Sequence, residues 1–311
     1  MNGPSAKRKR PSLIERAADV YDFSSALRGP TAPLAPETPA APLDAQPAPP
    51  PIPAPPVAYM PPVAAWAGMA HPIDRDRLAE QGIILPDSDV TGTSEEFRIV
   101  KRRILSAAFD ADGKPKARGN LVLVNSAHPG EGKTWCAISL AISLAAEQDM
   151  DVLLVDADFG KPGICERLGL PEGPGLMDAL ADPQMAVEQA VLRTDIPALS
   201  VLPAGRQMRN DTEFLASDRT GQVLDRLDNR DGRRIIIFDS PPALAASPAA
   251  ELARHVGQTM FVVRADRTSE AALRDAVNLL SACPVIRLLL NGVKFSASGR
   301  QFGTYYGKAT P

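Results

Sequence analysis

Six short runs in the later two thirds of the chain are apolar without alternation: 121–125, 152–156, 199–203, 235–239, 260–264 and 286–291. A strand apolar on both sides must be covered on both sides. Helix-like segments separate several of these runs, at 133–147, 212–227 and 270–282. With right-handed crossovers, this order predicts an α/β fold: a doubly wound, mostly parallel sheet with helices on both faces. Ahead of the first run, Thr93 and Glu96 have capping-box spacing and predict a helix through about Ala108. Its apolar stripe is Phe97, Val100, Ile104 and Leu105.

Proline divides the chain. Nearly half of the 31 prolines among 311 residues lie between Pro30 and Pro62, a segment too poor in large apolar groups to fold a core. The expected organisation is a basic tail and short amphipathic helix at 1–29, then a disordered Pro/Ala-rich linker at 30–71. A globular domain at 72–293 and a flexible tail at 294–311 follow. In the first segment Ser12 and Glu15 form a capping pattern, with Leu13, Ile14, Ala17, Ala18 and Tyr21 on one face. It reads as a solvated tail or as a docking helix. The linker reads as a spacer or as a Pro-rich docking site.

The charge balance, 34 basic against 37 acidic residues, gives −3 and no overall basic field for nucleic acid. Cys136, Cys165 and Cys283 have no pair spacing and read as reduced, buried small hydrophobes. No run of ~18 apolar residues suggests a membrane span, and no signal-type stretch follows the basic start. A cytoplasmic protein is expected.

The strongest local signal is Ser126-Ala127-His128-Pro129-Gly130-Glu131-Gly132-Lys133-Thr134, between an apolar strand and a helix. That is the setting of a P-loop, and it gives the fold a P-loop NTPase character. Gly130 and Gly132 let the backbone turn tightly, and inward N–H groups with the helix N-terminus attract phosphate. Lys133 would reach the β/γ-phosphates and the Thr134 hydroxyl would bind Mg²⁺. The usual first glycine is replaced by Ala127. Asp156 and Asp158 end a second strand and Asp239 a third. Ligands of open α/β sheets sit beyond such strand ends. Strand alternation separates Asp156 from Asp158, so a turn must begin there if both face a nucleotide. Partition ATPases carry a lysine five positions before the loop lysine; here that position is His128, which reads as a loop residue.

With these motifs the chain resembles the bacterial tyrosine kinases (BY-kinases) of polysaccharide biosynthesis, most closely the exosortase-associated exopolysaccharide tyrosine autokinases. The likeness rests on Glu95-Glu96-Phe97-Arg98-Ile99-Val100-Lys101-Arg102, the Pro129–Thr134 loop with Trp135, and Val155-Asp156-Ala157-Asp158. It rests also on Leu202-Pro203-Ala204-Gly205, Phe238-Asp239-Ser240-Pro241-Pro242, Val256-Gly257-Gln258 and Leu290-Asn291-Gly292-Val293.

The resemblance implies ATP and Mg²⁺ as cofactors. It implies nucleotide binding by Pro129, Gly130, Glu131, Gly132, Lys133, Thr134 and Trp135, metal organisation by Thr134, Asp158 and Asp239, and Asp156 as base. Asn291 would lie on the adenine side, or be a turn asparagine. Tyr305 and Tyr306 would be phosphoacceptors in trans, or an aromatic pair packed on the sheet edge. Glu95, Arg98 and Lys101 would form an oligomer interface in a ring, or a solvated helix face. A membrane chain-length protein is the implied activator and a cognate phosphatase a further partner. A non-transferring ATPase switch and a non-catalytic ATP-binding adaptor stand as rivals. The chain departs from the family pattern at Phe159-Gly160-Lys161-Pro162 and at Ala246-Ser247-Pro248-Ala249.

Overall fold

The computed structural model describes residues 66, 68–86, 91–228 and 233–293. Tyr305, Tyr306, the 12–21 segment and most of the Pro-rich stretch lie outside them.

Eight strands make one sheet: β1 (Ala70–His71), β2 (Leu121–Ser126), β3 (Asp151–Asp156), β4 (Leu192–Thr194), β5 (Leu199–Leu202), β6 (Arg234–Asp239), β7 (Gln258–Arg264) and β8 (Ile286–Asn291). Their spatial order is β1-β4-β5-β3-β6-β2-β7-β8. Every pairing is parallel except the antiparallel β4–β5. All six runs expected to be strands are strands. The two short ones, β1 and β4, carry no apolar run of their own and are set by pairing at the sheet edge.

The helices are α1 (Arg75–Glu80), α2 (Gly92–Ala108), α3 (Lys133–Ala145), α4 (Ile164–Leu168), α5 (Leu176–Ala181), α6 (Asp211–Leu215), α7 (Asp218–Leu227), α8 (Pro248–Ala253) and α9 (Glu270–Leu279), with a 3-10 turn at Val187–Ala190. The core has two layers, one on each sheet face. Val122, Val124, Val152, Leu154, Ile235 and Ile237 pack with α1, α2, α3 and α4. Leu121, Leu123, Leu153, Val155, Ile236 and Phe238 pack with α5, α7, α8 and α9. Successive strand residues thus feed opposite layers, as the pleat requires. The doubly wound expectation holds.

Two local expectations are corrected. Helix α2 starts before Thr93: Thr91 is its cap, and Thr91 and Ser94 exchange side-chain-to-backbone hydrogen bonds of 2.8 and 3.1 Å. Thr-x-x-Ser does the work expected of Thr-x-x-Glu because the serine hydroxyl also accepts from the cap N–H. The single helix expected at 212–227 is two. Ser217 takes extended backbone and its hydroxyl donates to the Phe214 carbonyl, so α7 begins anew.

Candidate nucleotide site

Register sets the site. Asp156 and Asp239 are partners across β3–β6, and Val124 pairs with Asp239 across β6–β2. The carboxyl ends of three adjacent central strands therefore lie level, with the P-loop rising from the third. Gly130 and Gly132 have φ of 79° and 99°, the left-handed region that favours glycine. Helix α3 begins at Lys133 with Gly132 as its cap, no side-chain cap and no acidic residue in its first turn. Its leading N–H groups and dipole are thus available to an anion.

A pocket of about 450 Å³ opens on this loop. Pro129, Gly130, Gly132, Lys133, Thr134 and Trp135 line it, together with Asp158. Lys133 Nζ lies 2.8 Å from Asp158 Oδ2, with both side chains nearly buried. Asp158 Oδ1 accepts from the Lys161 N–H at 3.2 Å, so the turn required after β3 does form. Trp135 lines the wall, but its indole N–H is spent on the Gln81 carbonyl at 3.0 Å and its ring packs on Phe97.

Asp239 lies beneath the pocket, 1% exposed. Burial raises its pKa to about 7, against the opposing pull of the Lys133 charge and a hydrogen bond from the Thr134 hydroxyl. Its Oδ1 has no hydrogen-bond partner. A buried, unsatisfied carboxylate oxygen beside a hydroxyl and an ammonium fits a hydrated cation bound with phosphate. Mg²⁺ takes such sites through one or two carboxylates, water and substrate oxygens. The residues that would hold it are Thr134, Asp158 and Asp239. Among the described residues no group of three His, Cys, Asp or Glu forms an all-protein cage.

Asp156 departs from its expected role as base. Its Oδ1 accepts from the Asp158 N–H at 3.2 Å, and its Oδ2 from Gly163 and Ile164 at 2.8 and 3.0 Å. It is 1% exposed and is not among the residues lining the pocket. Burial raises its pKa while these three N–H donors lower it. The carboxylate fastens the loop between β3 and α4.

Glu131 also faces inward. It accepts from the His128 N–H at 2.9 Å and from the Thr268 hydroxyl, tying the P-loop to the turn after β7. Asn291 reaches the loop, but its Nδ2 donates to the Glu131 carbonyl at 2.9 Å. A Cβ on Gly132 would run into that amide. Asn291 thus props the backbone from behind.

Of the proposed interface residues, Arg98 pairs with Glu95 on the outer face of α2. Lys101 is corrected: it is 7% exposed and points into the domain. Its Nζ donates to the Ser143 carbonyl at 3.0 Å and pairs with Glu147 at 2.7 Å. The α3 C-terminus leaves carbonyls without intrahelical partners, and a cation there also meets the negative end of the helix dipole.

Five pocket residues escaped the sequence reading: Arg77, Gln81, Gly163, Glu166 and Arg167. Asp74 as cap and Gly82 just after the end mark α1 in the sequence. Nothing local connects α1 to a loop fifty residues later.

No family model matches the chain. EpsB of Ralstonia solanacearum is 30% identical over 197 residues, 62% of this chain and 25% of that protein. The chain matches about a quarter of the length of the first curated relatives. The tyrosine-protein kinase YwqD of Bacillus subtilis is 29% identical over 241 residues, 77% of this chain and 97% of YwqD. Among solved structures, the BceF tyrosine kinase domain has a TM-score of 0.55 and 28% identity, covering 70% of this chain and 82% of BceF. In sequence and in fold alike, this chain is similar to bacterial tyrosine-protein kinases.

Proposed function

We propose that the chain is an ATP-dependent protein-tyrosine autokinase that phosphorylates Tyr305 and Tyr306 in trans and regulates exopolysaccharide assembly or export, as in exosortase-associated systems. The observation that carries the reading is the meeting of Lys133, Thr134, Asp158 and Asp239 at an uncapped helix N-terminus. The relationship to YwqD along nearly all of that kinase supports the tyrosine as acceptor.

Phosphoryl transfer needs positioning and charge neutralisation more than covalent chemistry from the protein. The loop amides and Lys133 would bind the triphosphate of ATP. Mg²⁺, where bound, would neutralise charge between the phosphates and Asp239, Asp158 and Thr134. The tyrosine oxygen gains the γ-phosphoryl group, ADP leaves, and the phenolic proton goes to a base. The new phosphates add nearly two negative charges each, and their repulsion would loosen a subunit ring.

A membrane chain-length protein would recruit and activate the chain at the inner membrane from the cytoplasmic side, and a cognate phosphatase would reset the tail. Among the described residues no helix is long and apolar enough to cross a membrane. The engaged state of Asp156 favours one alternative, a P-loop ATPase switch of the same fold that transfers nothing to tyrosine.

The test is mass spectrometry of the purified chain after Mg-ATP, with and without the activator's cytoplasmic segment. Phosphate on Tyr305 or Tyr306, absent in Lys133→Met, supports the kinase. Unchanged labelling in a Tyr305→Phe/Tyr306→Phe double variant removes the tail assignment. Phosphate release without labelled protein supports the switch.

A further inference from the structure

The pocket carries more positive charge than the P-loop accounts for. Arg77 from α1, and Lys161 and Arg167 from the β3–α4 loop and α4, share its wall with Lys133. Lys133 is paired with Asp158. The arginines are positioned differently: Arg77 donates to the Glu166 carbonyl, and Arg167 donates to the Gln81 side-chain oxygen at 2.5 Å. Both acceptors are neutral, so each guanidinium is aimed without its charge being cancelled there. Each has five N–H donors, and one of them makes the contact described. Glu166 supplies the remaining carboxylate on the wall.

The scaffold under Arg77 is rigid. The α1 helix is capped by Asp74 and buries Leu78 completely. The Asp74 N–H donates to the Leu168 carbonyl at 2.8 Å. A Cβ on Gly169 would come within 2.7 Å of the Asp74 Cβ, so the cap of α1 packs closely on the end of α4. Gln81 fastens the same helix to α3 through Trp135. Guanidiniums held this way lose little freedom on gripping an anion.

Direction follows from the other flank of the loop. There Asn291 and Glu131 close the space behind Gly132, and neither Asn291 nor Thr268 lines the pocket. The pocket beside the loop amides extends toward α1 and α4, where both arginines stand on its wall.

We propose that Arg77 and Arg167 are γ-phosphate ligands supplied in cis, which select nucleoside triphosphate over diphosphate and neutralise charge on the transferring group. This rests on the nucleotide reading of the pocket and adds a charge clamp from a helix outside the P-loop sheet strands.

The experiment is calorimetry of the full chain with Mg²⁺ and either ADP or the slowly hydrolysed ATPγS. Arg77→Gln/Arg167→Gln should weaken ATPγS at least tenfold and leave ADP within about twofold. Arg77→Lys/Arg167→Lys should restore part of the preference, because charge returns without the planar fork. An unchanged ATPγS:ADP ratio, or an equal loss for both nucleotides, overturns the proposal. So does a double variant that keeps the ratio but loses affinity for a phosphotyrosine peptide of residues 300–311, since the wall would then serve the product. Thermal unfolding of the apo variants checks the fold; should the double variant fail to fold, the single Arg77→Gln, at an exposed side chain, carries the same comparison. Wild-type chain that shows the triphosphate preference yet never labels tyrosine would sink the kinase reading and leave the clamp standing.

Discussion

Asp156 and Asp239 are register partners on β3 and β6, yet their carboxylates have opposite surroundings. Asp156 accepts three backbone N–H donors. Asp239 keeps one buried oxygen without a partner beside Thr134 and Lys133. One carboxylate is fully engaged by the backbone and the other keeps a buried oxygen unpaired.

Asp156→Asn should therefore act first on stability. Its amide NH2 would face a backbone N–H in place of an acceptor, at a cost of about 1–3 kcal/mol. Urea unfolding should show the loss. Mg-ADP affinity under native conditions should fall much less than in Lys133→Met; the reverse order would return Asp156 to the ligand.

Asp239 gives a pH dependence of definite sign. Its folded pKa, about 7, is above the ordinary 3.8, so the folded state binds the extra proton. Its contribution is fully present below about pH 4 and is lost as pH rises through 7. The apo wild type should lose stability across that window relative to Asp239→Asn. Equal slopes for the two proteins would count against a buried, protonated Asp239.

Lys101 should matter to the fold of one chain. Its hydrogen bond holds the Glu147 carboxyl below its usual range, so that contribution is present above about pH 4.5 and fades as pH falls through the lowered value. Lys101→Met should cost roughly 1–3 kcal/mol at neutral pH, as expected for a bond to a charged group. It should also flatten the acid limb of the stability curve. Glu95→Ala/Arg98→Ala should leave stability within about 0.5 kcal/mol, since an exposed i,i+3 pair is worth tenths. Sedimentation of that pair tests whether the α2 face joins subunits.

Asn291→Ala should loosen the P-loop. It removes the donor to the Glu131 carbonyl and leaves Glu131 anchored through Thr268 and His128. A rise in the KM for ATP with kcat nearly unchanged is the expected pattern. A loss confined to kcat would assign Asn291 to the chemical step.

The sequence by itself determined the sheet and the loop. Apolar runs that do not alternate must be covered on both faces, and Gly130, Gly132, Lys133 and Thr134 sit where a strand gives way to a helix. Those are local signals, carried by neighbouring residues. Only the tertiary structure decided which of the acids Asp156 and Asp239 the backbone ties down, that Lys101 turns inward to the end of α3, and that Arg77 and Arg167 share one pocket wall. The reason is physical. A side chain's partner is whatever the packed fold brings within hydrogen-bond reach, and Arg77 and Glu166 meet only because α1 docks on α4, 89 positions along the chain.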